Sequence, residues 1–233
     1  MRLKEITAFG DTERKWIDLD APQKSPSELR DAVRRIRDGG WIQTASGLPF
    51  WPLDPRPEDV RIEDIAYALA RISRFNGHTT GEIYSVGQHS VYVSEEVERE
   101  YLLRYGPTAS HQSEISCLRA TLVALLHDGS EAYIGDCTRP LKKQDTFAAY
   151  RTAEARLQQC IYKAFGLLYE WELDILHQAD RRMLRTEQRD LMPAALPEEG
   201  RDDVPPYDLT VEPWPWREAE RRFLARFAEL TTT

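Results

Sequence analysis

The chain has 233 residues, 41% hydrophobic and 30% charged, with a formal net charge of −8, which is enough to bury one full core or two small ones. The acidic balance argues against a nucleic-acid polymer as partner, because phosphate backbones are held by basic patches; a small anion is allowed only if cations cluster locally. No apolar run approaches the roughly 20 residues of a membrane span and Met1–Glu5 lacks a secretory stretch, so a cytoplasmic protein with no membrane attachment is expected.

In chain order, Ser25-Pro26-Ser27-Glu28 has the form of a capping box and Gly39-Gly40 provides a stop, predicting a structural helix over about 26–38. The segment from Trp41 to Pro57, with four prolines and Ser46-Gly47 at its centre, predicts a short hairpin followed by an extended strap, and no other strand is expected. Residues 1–60 thus read as an N-terminal extension packed on a domain spanning 61–233.

From Ile62 the period turns helical. Ile65, Ala68, Leu69 and Ile72 form an apolar stripe ending near Phe75, and Gly77 breaks it. Further helices are predicted at about 85–104, 114–127, 146–166, 171–191 and 215–230. Residues 193–213, with five prolines and six acidic residues, read as a surface loop. The fold class is mostly α, a helical bundle with a short N-terminal hairpin and strap. Cys117, Cys137 and Cys160, odd in number and widely spaced, are read as reduced filler rather than disulfides or a zinc site.

Three helices carry polar residues where apolar ones belong. Val86, His89, Val93 and Val97 share one face, so His89 points inward. Leu118, Leu122, Leu125 and Leu126 form a buried stripe that ends directly in His127-Asp128. Leu173, Leu176, Asp180, Met183, Glu187 and Leu191 lie on one stripe, which puts the Asp180 carboxylate among apolar residues. An isolated buried carboxylate is costly, and a bound cation removes the difficulty. Singly, such residues are more often hydrogen-bonded core groups, and Asp180 could pair with Arg182 or Arg185 instead. The order H…HD…D, with His127 38 residues after His89 and Asp180 52 after Asp128, favours a metal. Imidazole with carboxylate suits one divalent transition metal (Mn, Co, Fe, Ni or Zn, with Mg possible) better than Ca.

The stretch Arg74 to Lys142, together with Asp180, resembles the HD superfamily of metal-dependent phosphohydrolases, and within it the bacterial 5′-deoxynucleotidases. The family's Glu three residues after the HD pair and Asp eight after it are matched by Glu131 and Asp136, and its Arg-aromatic pair fifteen residues before the first metal His by Arg74-Phe75, although the family's aromatic is usually Trp. The block Trp41 to Gly77 further resembles HD phosphohydrolases of bacterial and phage genomes.

The resemblance implies metal ligation by His89, His127, Asp128 and Asp180. It implies that Glu131 positions or deprotonates the attacking water, and that Asp136 contacts the sugar or assists proton transfer, unless it caps the Thr138-Arg139-Pro140 turn. Arg74, Phe75, Arg139 and Lys142 would bind the substrate, with Arg gripping phosphate through two donors and Lys as a point charge. Arg74 would otherwise pair with a surface carboxylate such as Glu82.

Lys143, His78, His111 and His177 read as surface residues. Trp51, Trp171, Trp214 and Trp216 read as packing anchors. A homo-oligomer is implied by the resemblance alone. The expected activity is hydrolysis of the 5′-phosphate of a deoxynucleoside monophosphate. A deoxynucleoside triphosphate triphosphohydrolase and a non-catalytic nucleotide-binding module are the alternatives.

Overall fold

The computed structural model describes residues 3–6, 15–18, 39–106, 111–167, 174–193 and 204–232. The chain forms two compact units, Met1–Asp38 and Gly39–Thr233, so the strap from Trp41 groups with the helices that follow it. In the first unit, β1 (Leu3–Ile6) pairs antiparallel with β2 (Lys15–Asp18), Leu3 opposite Asp18. This hairpin corrects the expectation of a single one; four-residue strands give too short an alternation to stand out. The helix expected at 26–38 lies outside the described residues.

The second unit opens with the hairpin that the sequence predicts, β3 (Ile42–Gln43) against β4 (Pro49–Phe50). Gly47 takes φ +81° in its turn, and Ser46 pins that turn to Asp64, its N–H donating at 2.7 Å and its hydroxyl at 2.9 Å.

The helices are α1 (Ile62–Leu69), α2 (Val86–Tyr105), α3 (His111–Leu125), α4 (Glu131–Ile134), α5 (Arg139–Lys142), α6 (Ala148–Ala164), α7 (Asp174–Leu191) and α8 (Trp216–Thr231). α2 is the central element and packs against α3, α7 and α8. Val86, His89, Val93 and Val97 are all fully buried, as the shared face requires, and Leu122, Leu125 and Leu126 join them from α3. Gly87 makes the close crossing at its start possible: a Cβ there would meet the Ala70 backbone N at 3.0 Å.

α1 stops at Leu69, short of the expected Phe75, because the backbone leaves it to pair with the lead-in to α2. Ser73 and Ser85 form an isolated bridge, and the Arg74 N–H donates to the Tyr84 carbonyl at 2.9 Å. Ser85 then caps α2 by accepting from the Gln88 N–H at 3.1 Å.

The described part of the expected surface loop has no helix or strand, as predicted, and is anchored to the helices. Tyr207 and Val211 are buried. Gln88 holds this segment at two points, donating to the Glu212 carbonyl and accepting from the Trp214 N–H, both at 2.8 Å. Among the described residues, no helix is long and apolar enough to cross a membrane.

Candidate metal centre and cavity

His89 and His127 reach one place from different directions, and each is oriented by a bond to its other ring nitrogen. His89 is fully buried, and its Nδ1 lies 2.6 Å from Glu187 Oε1. His127 follows the end of α3, its Nδ1 2.7 Å from the Ala124 carbonyl. Carboxylate and carbonyl both accept, so both Nδ1 atoms carry a proton, and in the neutral rings that a metal requires both Nε2 atoms present lone pairs. Neither Nε2, though buried, has a hydrogen-bond partner.

Asp128 Oδ2 stands 3.3 Å from His127 Nε2 and 3.8 Å from His89 Nε2. Asp180 Oδ1 lies 3.1 Å from His89 Nε2. Neighbouring ligands held by bonds of about 2.1 Å sit roughly 3 Å or more apart, so these spacings suit a shared cation. His89, His127 and Asp128 form a group whose ligand atoms all lie within 4.8 Å of one another and which can hold a metal ion.

Asp180 departs from its expected setting. Its side chain is 41% exposed, facing the cavity that it lines rather than the core. The expected arginine partners turn elsewhere: Arg182 bonds Glu100 at 2.8 Å, and Arg185 lies 3.5 Å from Gln188.

The charges around this cluster are strongly coupled. The surroundings of Asp180 oppose its ionisation, but the close approach of His89, then of His127 and Arg74, holds its carboxyl at about 2. Burial likewise disfavours charge on Asp128, and His127 first among its neighbours pulls it far below the carboxylate range. Burial also opposes charge on His127, yet Asp128 and then Asp180 push it up to about 9.

Glu187 is the residue that sequence reasoning left without a role. It is fully buried and accepts from His89, from the Tyr84 hydroxyl at 2.7 Å and from Arg74 Nε at 3.2 Å. Desolvation would raise its pKa, but Arg74 and His89 outweigh that and keep it ionised. A signal was present, since Glu187 sits seven residues after Asp180 on the same inward stripe.

Above the cluster lies a cavity of about 810 Å³ lined by Arg74, Phe75, Asp128, Glu131, Asp136, Arg139, Lys142 and Asp180. Every expected site residue except the two histidines behind it therefore borders one space. Arg74 pairs with Glu187 and Asp128, the latter at 3.5 Å, and not with Glu82. Rather than ending a helix, it opens a 3₁₀ turn in which Phe75 (φ 54°) and Asn76 (φ 50°) are left-handed, a conformation that side chains of this size adopt at a cost.

Glu131 is buried on α4 rather than exposed in a loop. Its Oε2 has no partner, and burial, then Asp128 and Asp136, push its carboxyl up to about 9. Lys142 is 3.7 Å from Glu131 but 2.6 Å from Glu154. Thr138, not Asp136, occupies the cap position of α5. Gly129 is fixed by crowding, for a Cβ there would come within 2.9 Å of the Leu126 carbonyl. His177 and Arg181 also line the cavity, although neither was expected there. His78 and Lys143 are exposed as expected; the His111 side chain and Trp171 lie outside the described residues.

Against known proteins, the chain is 38% identical over 128 residues to an uncharacterized protein of Rhodobacter capsulatus, covering 54% of this chain and 59% of that protein. It is 33% identical over 151 residues to the uncharacterized protein YfdR of Escherichia coli, covering 65% of this chain and 72% of YfdR. No protein-family model matches the chain.

Proposed function

The chain belongs to the family of the uncharacterized Escherichia coli protein YfdR, and from the site just described we propose that it is a metal-dependent nucleotide phosphohydrolase acting on the 5′-phosphate of deoxynucleoside monophosphates. The observation that carries this reading is the convergence of two buried, unpartnered imidazole Nε2 atoms with Asp128 at the floor of a cavity bordered by Arg74, Arg139 and Lys142. Orphaned donors of that kind, with Asp180 beside them, fit one divalent transition metal.

A cation held there would draw charge from a phosphoryl oxygen and favour deprotonation of a water molecule. The chain's own residues do the rest. Arg74, oriented through Nε by Glu187, offers its remaining N–H donors to the outer phosphoryl oxygens. Glu131 borders the cavity with one oxygen free and can position the attacking water by hydrogen bonding or take its proton. Arg139 at the mouth adds charge that draws an anion into an acidic molecule.

A panel of nucleoside mono-, di- and triphosphates, assayed with Mn, Co, Ni and Mg and read for phosphate and tripolyphosphate, tests the proposal. Phosphate from deoxynucleoside monophosphates is expected, with metal and turnover both lost when His89, His127, Asp128 or Asp180 becomes Ala. Tripolyphosphate from a triphosphate would instead make it a triphosphohydrolase, and tight binding without cleavage across all four metals would make it a sensor.

A further inference from the structure

Along α7 the cavity is bordered in turn by His177, Asp180, Leu184 and Gln188. At the helical rise of 1.5 Å per residue, Leu184 and Gln188 stand roughly 6 and 12 Å beyond Asp180 along the helix axis. The turn that carries Phe75 and Asn76 runs beside this far end, because it is pinned to the last turns of α7 on both sides. Arg74 Nε donates to Glu187 at 3.2 Å before it, and the Thr80 N–H donates to the Leu191 carbonyl at 2.7 Å after it. Phe75, Asn76, Leu184 and Gln188 therefore border one end of the cavity, and none of them carries a charge.

These four side chains are of two kinds. Phe75 and Leu184, both partly buried, supply apolar surface on which a flat ring can rest. Asn76 and Gln188 supply primary amides, each with one acceptor oxygen beside a two-hydrogen donor. Both amides are open to a ligand. Asn76 is exposed at the lip, and Gln188 Oε1 meets Arg185 Nη1 only at 3.5 Å, the outer limit of a hydrogen bond. A phosphate held at the cation end, with its sugar alongside the helix, brings the base to these residues.

The chemistry of two uncharged amides decides which base suits them. An amide pairs in two-point fashion with a donor and an acceptor that stand side by side, as Asn and Gln do with N6 and N7 of adenine. Adenine alone has an amino group flanked on both sides by ring-nitrogen acceptors, N1 and N7, so two amides can each take one of its N6 hydrogens. The N7 edge of guanine offers two acceptors and no donor. The cytosine amino group has an acceptor on one side only, and thymine has a single N3–H between its two carbonyls.

We propose that Asn76 and Gln188 select adenine, gripping the N6 amino group from its two sides while Phe75 and Leu184 pack on the ring, so that the preferred substrate is deoxyadenosine monophosphate. The proposal rests on the reading above in which the phosphate is held at the cation.

The test measures kcat/KM and calorimetric affinity of the Mn-loaded full chain for the adenine, guanine, cytosine and thymine deoxynucleoside monophosphates and for the 7-deaza analogue of the first, which lacks the N7 acceptor. Asn76→Gly removes one amide and keeps the left-handed backbone, and Gln188→Met removes the other at similar length. The adenine substrate should lead the other three by about 10-fold, the usual worth of one two-point pair. Each variant should lower it by about that factor, mainly through KM, and leave the other bases within about twofold. The 7-deaza analogue should lose about 10-fold in the unaltered chain and nothing further in the variant that has lost the N7 partner. Equal use of the four bases overturns the proposal, as does preference for another base, an adenine preference that survives in either variant, or a 7-deaza analogue that performs as well as its parent. If no monophosphate is cleaved, the activity proposed above fails and affinity alone decides. Tighter binding of the adenine nucleotide that both variants weaken then upholds the base site, and uniform or absent binding overturns it.

Discussion

Glu187, buried behind the cavity, and Glu131, in its wall, are both glutamates removed from water, at 0% and 6% exposure, yet their surroundings drive them to opposite charge states. Glu187 faces three donors, Arg74, His89 and Tyr84, and is ionised. Glu131 faces burial and the carboxylates of Asp128 and Asp136 while its nearest lysine is engaged by Glu154, and its carboxyl is pushed up to about 9. Glu187 is satisfied before anything binds, because both of its oxygens have donors. Around Glu131 positive charge is short, which a cation or an incoming substrate's proton would supply.

The sharpest way to break this comparison is to remove Glu187. Glu187→Ala leaves a guanidinium and a histidine buried without their shared carboxylate, and should cost about 3–5 kcal/mol in denaturant unfolding. Metal affinity should fall roughly 10- to 100-fold, the usual scale for losing a group that orients a ligand. Unchanged stability would mean that these buried groups do not depend on Glu187. Glu131→Gln should do the reverse: the amide resembles the neutral acid, so stability and metal content should hold while turnover drops roughly 100-fold. Loss of metal in that variant would make Glu131 a ligand.

Arg74 joins the two regions, touching Glu187 at one end and the Asp128 pair at the other. Arg74→Lys should lower kcat/KM about 10- to 1000-fold, mainly in kcat, and should also lower Tm, since the bond to buried Glu187 is lost with the fork. Normal kinetics would move the phosphate contact to Arg139 or Lys142.

A smaller effect comes from pH. In metal-free protein, His127 and Glu131 are both pushed up to about 9, from 6.5 and 4.5. Each holds a proton in the folded state that the unfolded chain releases earlier. Their contribution is therefore full below the unfolded values and is lost as pH rises towards 9. Tm of the chelated protein should fall by about 3 °C or more between pH 6 and 9, and the fall should shrink once metal is bound. A Tm that rises over that range would contradict the shifts. Smallest of all, Gly129→Ala should cost about 1–2 kcal/mol by crowding the Leu126 carbonyl.

Much of the helical layout was legible because apolar periodicity reports burial directly: the stripes through His89 and through Leu122 to Leu126 lie where their spacing puts them. Asp180 was legible as an exception on its stripe but not as a cavity-facing one, since periodicity gives a direction around the helix and says nothing of a hollow in that direction. Glu187 was visible on the same stripe and lacked only a partner, because its donors Arg74, Tyr84 and His89 come from a different part of the chain. The early end of α1 was hidden for a related reason: its apolar repeat runs on through Ile72, while the bridge to Ser85 that ends it is a pairing at a distance. The segment 204–213 was legible as a loop from its proline and acid content, but its anchoring by Gln88 is again a distant contact.

The three bonds that converge on Glu187 span 98, 103 and 113 residues of chain. Contacts so distant in sequence close large loops and cannot form from local structure alone. α2 and α3 can acquire their helical backbone independently, but His89 and Arg74 gain their orientation only when α7 docks. Cation affinity is thus a property of the assembled tertiary fold and of no shorter piece of the chain. In refolding, the far-UV helical signal should precede or accompany the gain of metal affinity and never follow it, which makes a metal titration a clock for the docking of α7.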